Sequence, residues 1–171
     1  PAERGTALHA FMQFADFAAA RRDLEKERDR LVAQALLTPE QGAVVDLRRV
    51  RRFLESPLGQ RVLRSPQVEK ERRFTAEIPA SLVDPAAADT EEGVILQGAV
   101  DCTFVEDGRL HIIDFKTDRV QTMEELWQRY QAQLQLYGYA MEEVSGLPVG
   151  QLVLYSTWLG QASARDYEKS Y

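Results

Sequence analysis

Two strand-like runs, Val94–Glu106 and Arg109–Lys116, meet at Asp107-Gly108. No other feature constrains the chain as much, because Asp-Gly between two such runs is the strongest short-range signal for a tight β-hairpin. A two-residue turn also fixes the register. Glu106 pairs with Arg109, and each step back along one arm meets a step forward along the other. On that count Asp101 falls opposite Asp114. Side chains alternate faces along a strand, so Asp114 and Lys116 share a face and Asp101 joins them. Directly opposed residues have Cβ atoms about 4.5–5.5 Å apart. Two carboxylates that close repel each other unless positive charge lies between them. Lys116 supplies some of it, and a hard divalent cation with oxygen ligands resolves the conflict best. A lone Asp-x-Lys reads as a surface ion pair; the second acid in register lifts this one above that. A β-bulge between Gly98 and Phe104 would shift the register and undo the geometry.

The rest of the chain supplies layers for that hairpin to pack against. Leu8, Phe11, Met12, Ala15, Ala18 and Ala19 follow the helical period, so 5–36 reads as helix. Thr38-Pro39-Glu40-Gln41 carries a cap, a helix-starting proline and the Gln of a capping box. Ser56-Pro57 is a second stop–start signal. Val68–Pro79 reads as a strand and 84–93 as a loop. Thr122-Met123-Glu124-Glu125 opens a helix with the stripe Leu126, Tyr130, Gln133, Tyr137, Met141 and Val144, ended at Ser145-Gly146-Leu147-Pro148. A strand over Gln151–Trp158 and a polar tail over 161–171 finish the chain. The expectation is one α/β domain over 1–171: N-terminal helices (1–66), a mixed sheet with its helix (67–160), and the tail.

Composition narrows the chemistry. No apolar run approaches the ~20 residues of a membrane helix. The single cysteine, Cys102, excludes an internal disulfide and a cysteine-ligated iron–sulfur cluster, and points to a reducing, cytoplasmic setting. Net charge is −6, yet residues 48–73 hold nine basic residues and three acids. Alone that run reads as a solvated face; beside an acidic site it is a phosphate track to test. The chain opens on Pro1, which suggests a piece of a longer protein.

Several segments then resemble one family. Leu96–Asp101 (LQGAVD) followed by Ile112–Asp118 (IIDFKTD) resembles the paired catalytic strands of RecB-like PD-(D/E)XK nucleases, a restriction-endonuclease-like fold. Gly5–Gln13 (GTALHAFMQ) resembles their N-terminal helix, and Tyr130–Tyr137 (YQAQLQLY) their Gln-x-x-x-Tyr helix. The FKTDRV and LQLYGYA runs look most like bacterial AddA-type helicase–nucleases. The resemblance implies that His9, Asp101, Asp114 and the Phe115 carbonyl bind the metal, usually Mg²⁺. It gives Lys116 the attacking water and the charge on the phosphate. Gln133 and Tyr137, with Tyr130, would brace the site or touch the DNA backbone, and Arg119 could reach a phosphate. An imidazole suits Mn²⁺ at least as well as Mg²⁺. Implied partners are single strands of unwound DNA, helicase domains in cis that use ATP, and an AddB-like subunit in a heterodimer. The implied activity is exonucleolytic, in double-strand-break repair.

Blander readings stand beside these. A lone histidine on an apolar helix such as His9 is more often a satisfied core residue. Glu77 reads as an edge-strand charge, and His111 has no role. The alternatives are an inactive clamp or docking module of the same fold, and a free-standing exonuclease.

Overall fold

The computed structural model describes residues 2–169. Residues 1, 170 and 171, which end the expected domain and tail, lie outside the described residues. Helices come first: α1 (Ala2–Phe14), α2 (Phe17–Arg22), α3 (Leu24–Ala33), α4 (Pro39–Val44), α5 (Leu47–Glu55) and α6 (Pro57–Arg64). Strands β1 (Val68–Pro79), β2 (Gly93–Glu106) and β3 (Arg109–Lys116) follow, then α7 (Met123–Ser145), β4 (Val149–Ser156) and β5 (Gln161–Asp166). The sheet order is β1-β2-β3-β4-β5. Only the β3–β4 pair is parallel, as it must be when a helix such as α7 makes the crossover. The result is an α/β domain, a mixed five-stranded sheet flanked by helices.

Local chemistry explains the boundaries. The helix expected over 5–36 is three helices, because two aspartates inside the helical pattern bond the backbone instead. Asp16 accepts from Ala19 N at 3.0 Å and Asp23 from Lys26 N at 3.0 Å, and each starts a new helix. The Thr38/Gln41 capping box forms in both directions, at 3.0 and 2.9 Å. Asp107 (φ 53°) and Gly108 (φ 72°) make the left-handed pair that a two-residue hairpin requires. β4 begins two residues before the expected strand. The tail expected beyond residue 160 instead forms β5, an edge strand whose residues alternate between exposed and half-buried. Such an edge covers little core, so Gln161–Asp166 needed no large apolar residue and gave no apolar signal.

Two apolar layers enclose the sheet. One joins α1–α6 to Cys102, Phe104, Ile113, Phe115 and Tyr155. The other joins α7 to Phe74, Val100, Ile112, Leu152 and Leu154. Val100 and Cys102 have the same parity on β2 yet lie in different layers, so the strand rotates at Asp101. Its neighbour on β1, Glu71, takes a left-handed φ of 47°. The β1–β2 pairing passes from Lys70↔Cys102 to Arg72↔Val100 with its residue count intact. The sheet therefore changes face at Asp101 without the register slip that a bulge would have caused.

α7 buries Leu126, Trp127, Leu134, Gly138, Ala140 and Met141. This corrects the expected stripe. Gln133 lies on the exposed side, and Tyr130 and Tyr137 flank the apolar face rather than fill it.

Candidate active site

The regular β2–β3 pairing ends at Cys102↔Ile113, one residue short of Asp101 and Asp114. There the Asp101 side chain takes over from the backbone: Phe115 N–H donates to its Oδ2 at 2.8 Å. The two carboxyls also share a hydrogen bond, so they meet across the hairpin. Burial first, and then the Asp114 charge, push the Asp101 carboxyl well above the usual carboxylate range. The Phe115 N–H and Lys116 oppose that rise without cancelling it. An acid pair in this condition holds a proton that a cation would displace.

Lys116 Nζ lies 2.9 Å from Asp114 Oδ2 and 3.8 Å from the centre of the Tyr130 ring. Tyr130 is itself held, because its hydroxyl donates to Asp118 Oδ2 at 2.9 Å. Arg129 reaches the same oxygen at 3.2 Å. α7 thus provides an aromatic shelf under the lysine.

α1 supplies the opposite wall. A Cβ at Gly5 would stand 3.1 Å from Thr117 Oγ1, so glycine lets the start of α1 approach the end of β3. His9 lies one turn further along α1, half-buried. Burial lowers its pKa against the pull of the Asp114 charge, which leaves the imidazole neutral at pH 7. A cavity of about 40 Å³ lies among His9, Met12, Gln13, Glu71, Asp101 and Phe115. Glu71 is the addition that the sequence did not disclose. It reaches the site because β1 turns over there, and the long β1–β2 connection left no register to count across.

Residues 1–165 match the family model of the PD-(D/E)XK nuclease superfamily. The chain belongs to that superfamily. It is 39% identical over 165 residues to the AddA-type ATP-dependent helicase/nuclease of Acetivibrio thermocellus, covering 94% of this chain and 13% of that protein. It is 37% identical over 161 residues to the protein of the same name from Clostridium botulinum strain Langeland, covering 91% of this chain and 12% of that protein. The nuclease domain thus spans about an eighth of the length of these relatives. The crystal structure of SSO0001 aligns over 94% of this chain and 68% of its own, at 15% identity and a TM-score of 0.42.

Among the described residues of this PD-(D/E)XK domain, no three His, Cys, Asp or Glu side chains are arranged to hold a metal ion as they stand. The donor chemistry fits one all the same. Two crowded carboxyls, a neutral imidazole and the carboxylate of Glu71 converge on a void of about 40 Å³. One water-sized occupant needs only ~10–15 Å³.

The other predicted residues divide. Gln133 donates to the Tyr137 hydroxyl at 2.9 Å, and the Tyr137 ring packs edge-on to Phe74 at 5.3 Å. Gly98 permits that approach, since a Cβ there would stand 2.8 Å from Phe74 and 3.2 Å from Tyr137. Both residues therefore buttress the β1–β2 arm. Arg119 lies over Trp158, outside the acidic cluster. The basic run of 48–73 disperses. Arg61 pairs with Glu106 at 2.8 Å, Arg72 with Glu69 at 3.1 Å, and Arg52 bonds the Thr157 carbonyl at 2.9 Å. Lys70 is buried against the Phe17 ring and the Ala15 carbonyl. His111 stacks on Phe104, and Glu77 is exposed on the far arm of β1.

Proposed function

We propose that this domain is a divalent-metal-dependent deoxyribonuclease, the cutting module of a helicase–nuclease that processes broken DNA for repair by recombination. One observation carries the reading: Asp101 and Asp114 meet across the hairpin with Lys116 Nζ 2.9 Å from Asp114. The names of the relatives support a helicase in the same polypeptide, with ATP used there, and an AddB-like protein as its partner.

Asp101, Asp114, His9 and the Phe115 carbonyl would hold the cation, with Glu71 at the cavity wall. Oxygen donors favour Mg²⁺, and the imidazole admits Mn²⁺. When bound, such an ion lowers the pKa of its water and offsets charge on the phosphoryl oxygens. Lys116 aims its ammonium at the attacking water and at the charge that grows on the phosphate. The Tyr130 ring, fixed by Asp118, keeps Nζ at that position. Phe115 and Ile113, buried under α1–α6, shield the site from competing solvent.

Asp114→Ala tests the reading. The variant should fold and should lose Mg²⁺-dependent cleavage of a single-stranded oligonucleotide, to the level of wild type in EDTA. Wild-type cleavage by Asp114→Ala would falsify the assignment. An inert clamp or docking module predicts no EDTA-sensitive cleavage by either protein.

A further inference from the structure

A cleft of about 920 Å³ opens beside the acidic site, sharing His9 and Thr117 with it. That is near the top of the ~300–1,000 Å³ range of ligand pockets. Arg4, Arg28, Arg48, Arg49 and Arg119 line it, against one acid, Asp46. In a chain of net charge −6 this is a concentrated positive surface. Among the described residues Arg4 and Arg119 make no ion pair, and Arg48 and Arg49 share Asp46 at 3.6 and 3.5 Å. Trp158 lies in the same wall, 39% exposed. The guanidinium carbons of Arg49 and Arg119 stand 5.1 and 5.0 Å from its ring centre, within cation–π reach.

The turn that carries Trp158 is built rather than loose. Thr157 donates to the Lys116 carbonyl from its N–H at 2.9 Å and from its hydroxyl at 3.1 Å. Ser156 Oγ accepts from Leu159 N at 2.9 Å, and Arg52 donates to the Thr157 carbonyl at 2.9 Å. A half-exposed indole is thereby fixed to the backbone of the lysine at the cleavage site.

We propose that this cleft binds a single nucleic-acid strand, with Trp158 as the platform on which one unpaired base stacks and the arginines as its phosphate contacts. This deepens the nuclease reading and rests on it for the nature of the substrate. Aromatic rings grip unpaired bases through their π faces, whereas a duplex keeps its bases stacked on one another. Arginines spaced around an indole fit a chain that alternates charge and aromatic surface.

The protein reports on this itself. It has two tryptophans, and Trp127 is 2% exposed. In EDTA, which prevents cutting, oligo(dT) should quench the fluorescence of Trp158. Trp158→Phe, which leaves the buried Trp127 alone, should abolish the quench while keeping most of the affinity by anisotropy. Trp158→Ala should weaken binding roughly 5- to 100-fold. An abasic oligomer of equal length should bind without quenching, and a blunt duplex should not quench. Arg4→Gln and Arg119→Gln should each lower the salt slope of binding by about 0.7. Equal quenching by the abasic strand or the duplex overturns the platform. So does oligo(dT) binding with no quench, or no binding at all. Metal-dependent cleavage with no quench discards the platform and spares the nuclease reading; a quench without any cleavage does the reverse.

Discussion

The Lys116 side chain reaches from Asp114 across the face of Tyr130, and its position depends on a hydroxyl it does not touch. Tyr130 is held by Asp118, which Arg129 holds in turn. Tyr130→Phe keeps the ring under Nζ and removes only that tie. It should lower kcat roughly 10-fold with KM unchanged, because the lysine remains but is less well placed. A wild-type kcat in this variant would show that the Asp118 bond positions nothing. A rise in KM alone would assign Tyr130 to strand binding. Asp101, Asp114 and Lys116 could be placed together from the sequence because a two-residue turn dictates everything opposite it. Glu71 could not, since it arrives through a left-handed residue in the middle of a strand. Trp158 and Arg119 escaped for a related reason: their meeting joins the ends of β3 and β4, which no local pattern relates.

Among the elements, those whose ends are written in side-chain chemistry were legible. The Thr38/Gln41 box, the Ser56-Pro57 restart and the Asp107-Gly108 turn all lie where expected. Asp16 and Asp23 carry the same capping chemistry, but within a helical period, where an aspartate equally marks an exposed face. Asp23 caps α3 through its side chain while its own N–H closes α2. Asp23→Ala should therefore cost about 1 kcal/mol, read as a lower urea midpoint at unchanged slope. An unaltered midpoint would mean that packing, not the cap, sets where α3 starts. The stripe of α7 was misplaced because Tyr130, Gln133 and Tyr137 keep the helical period as well as the buried Leu126, Leu134 and Met141 do. Period alone does not say which of two adjacent faces meets the sheet. β5 was missed because an edge strand need not be apolar.

At the scale of the molecule, the helical layer is pinned to the sheet by a buried cation. Lys70, on β1, lies over the Phe17 ring and bonds the Ala15 carbonyl where α1 passes into α2. Burial lowers its pKa to about 8. Above that pH the folded chain gives up a proton that the unfolded chain retains to about 10.4, so stability rises with pH. Over pH 8–9 the slope should reach at most about 1.4 kcal/mol per unit. Beyond pH 9 the Cys102 thiol, pushed up to about 12 by burial, acts in the opposite sense, because only the unfolded chain then ionises. Chemical denaturation of Lys70→Met should show no rise between pH 8 and 9; a slope as steep as wild type would locate the effect elsewhere. The rotation of β2 at Asp101 has a last consequence. Each layer lends the acids one wall, the imidazole from the first helix and the aromatic shelf from the seventh. Stripping away either would open the carboxyls to bulk water, where hydration alone would satisfy them. The bite on a cation is thus owned jointly, and neither half of the molecule could inherit it by itself.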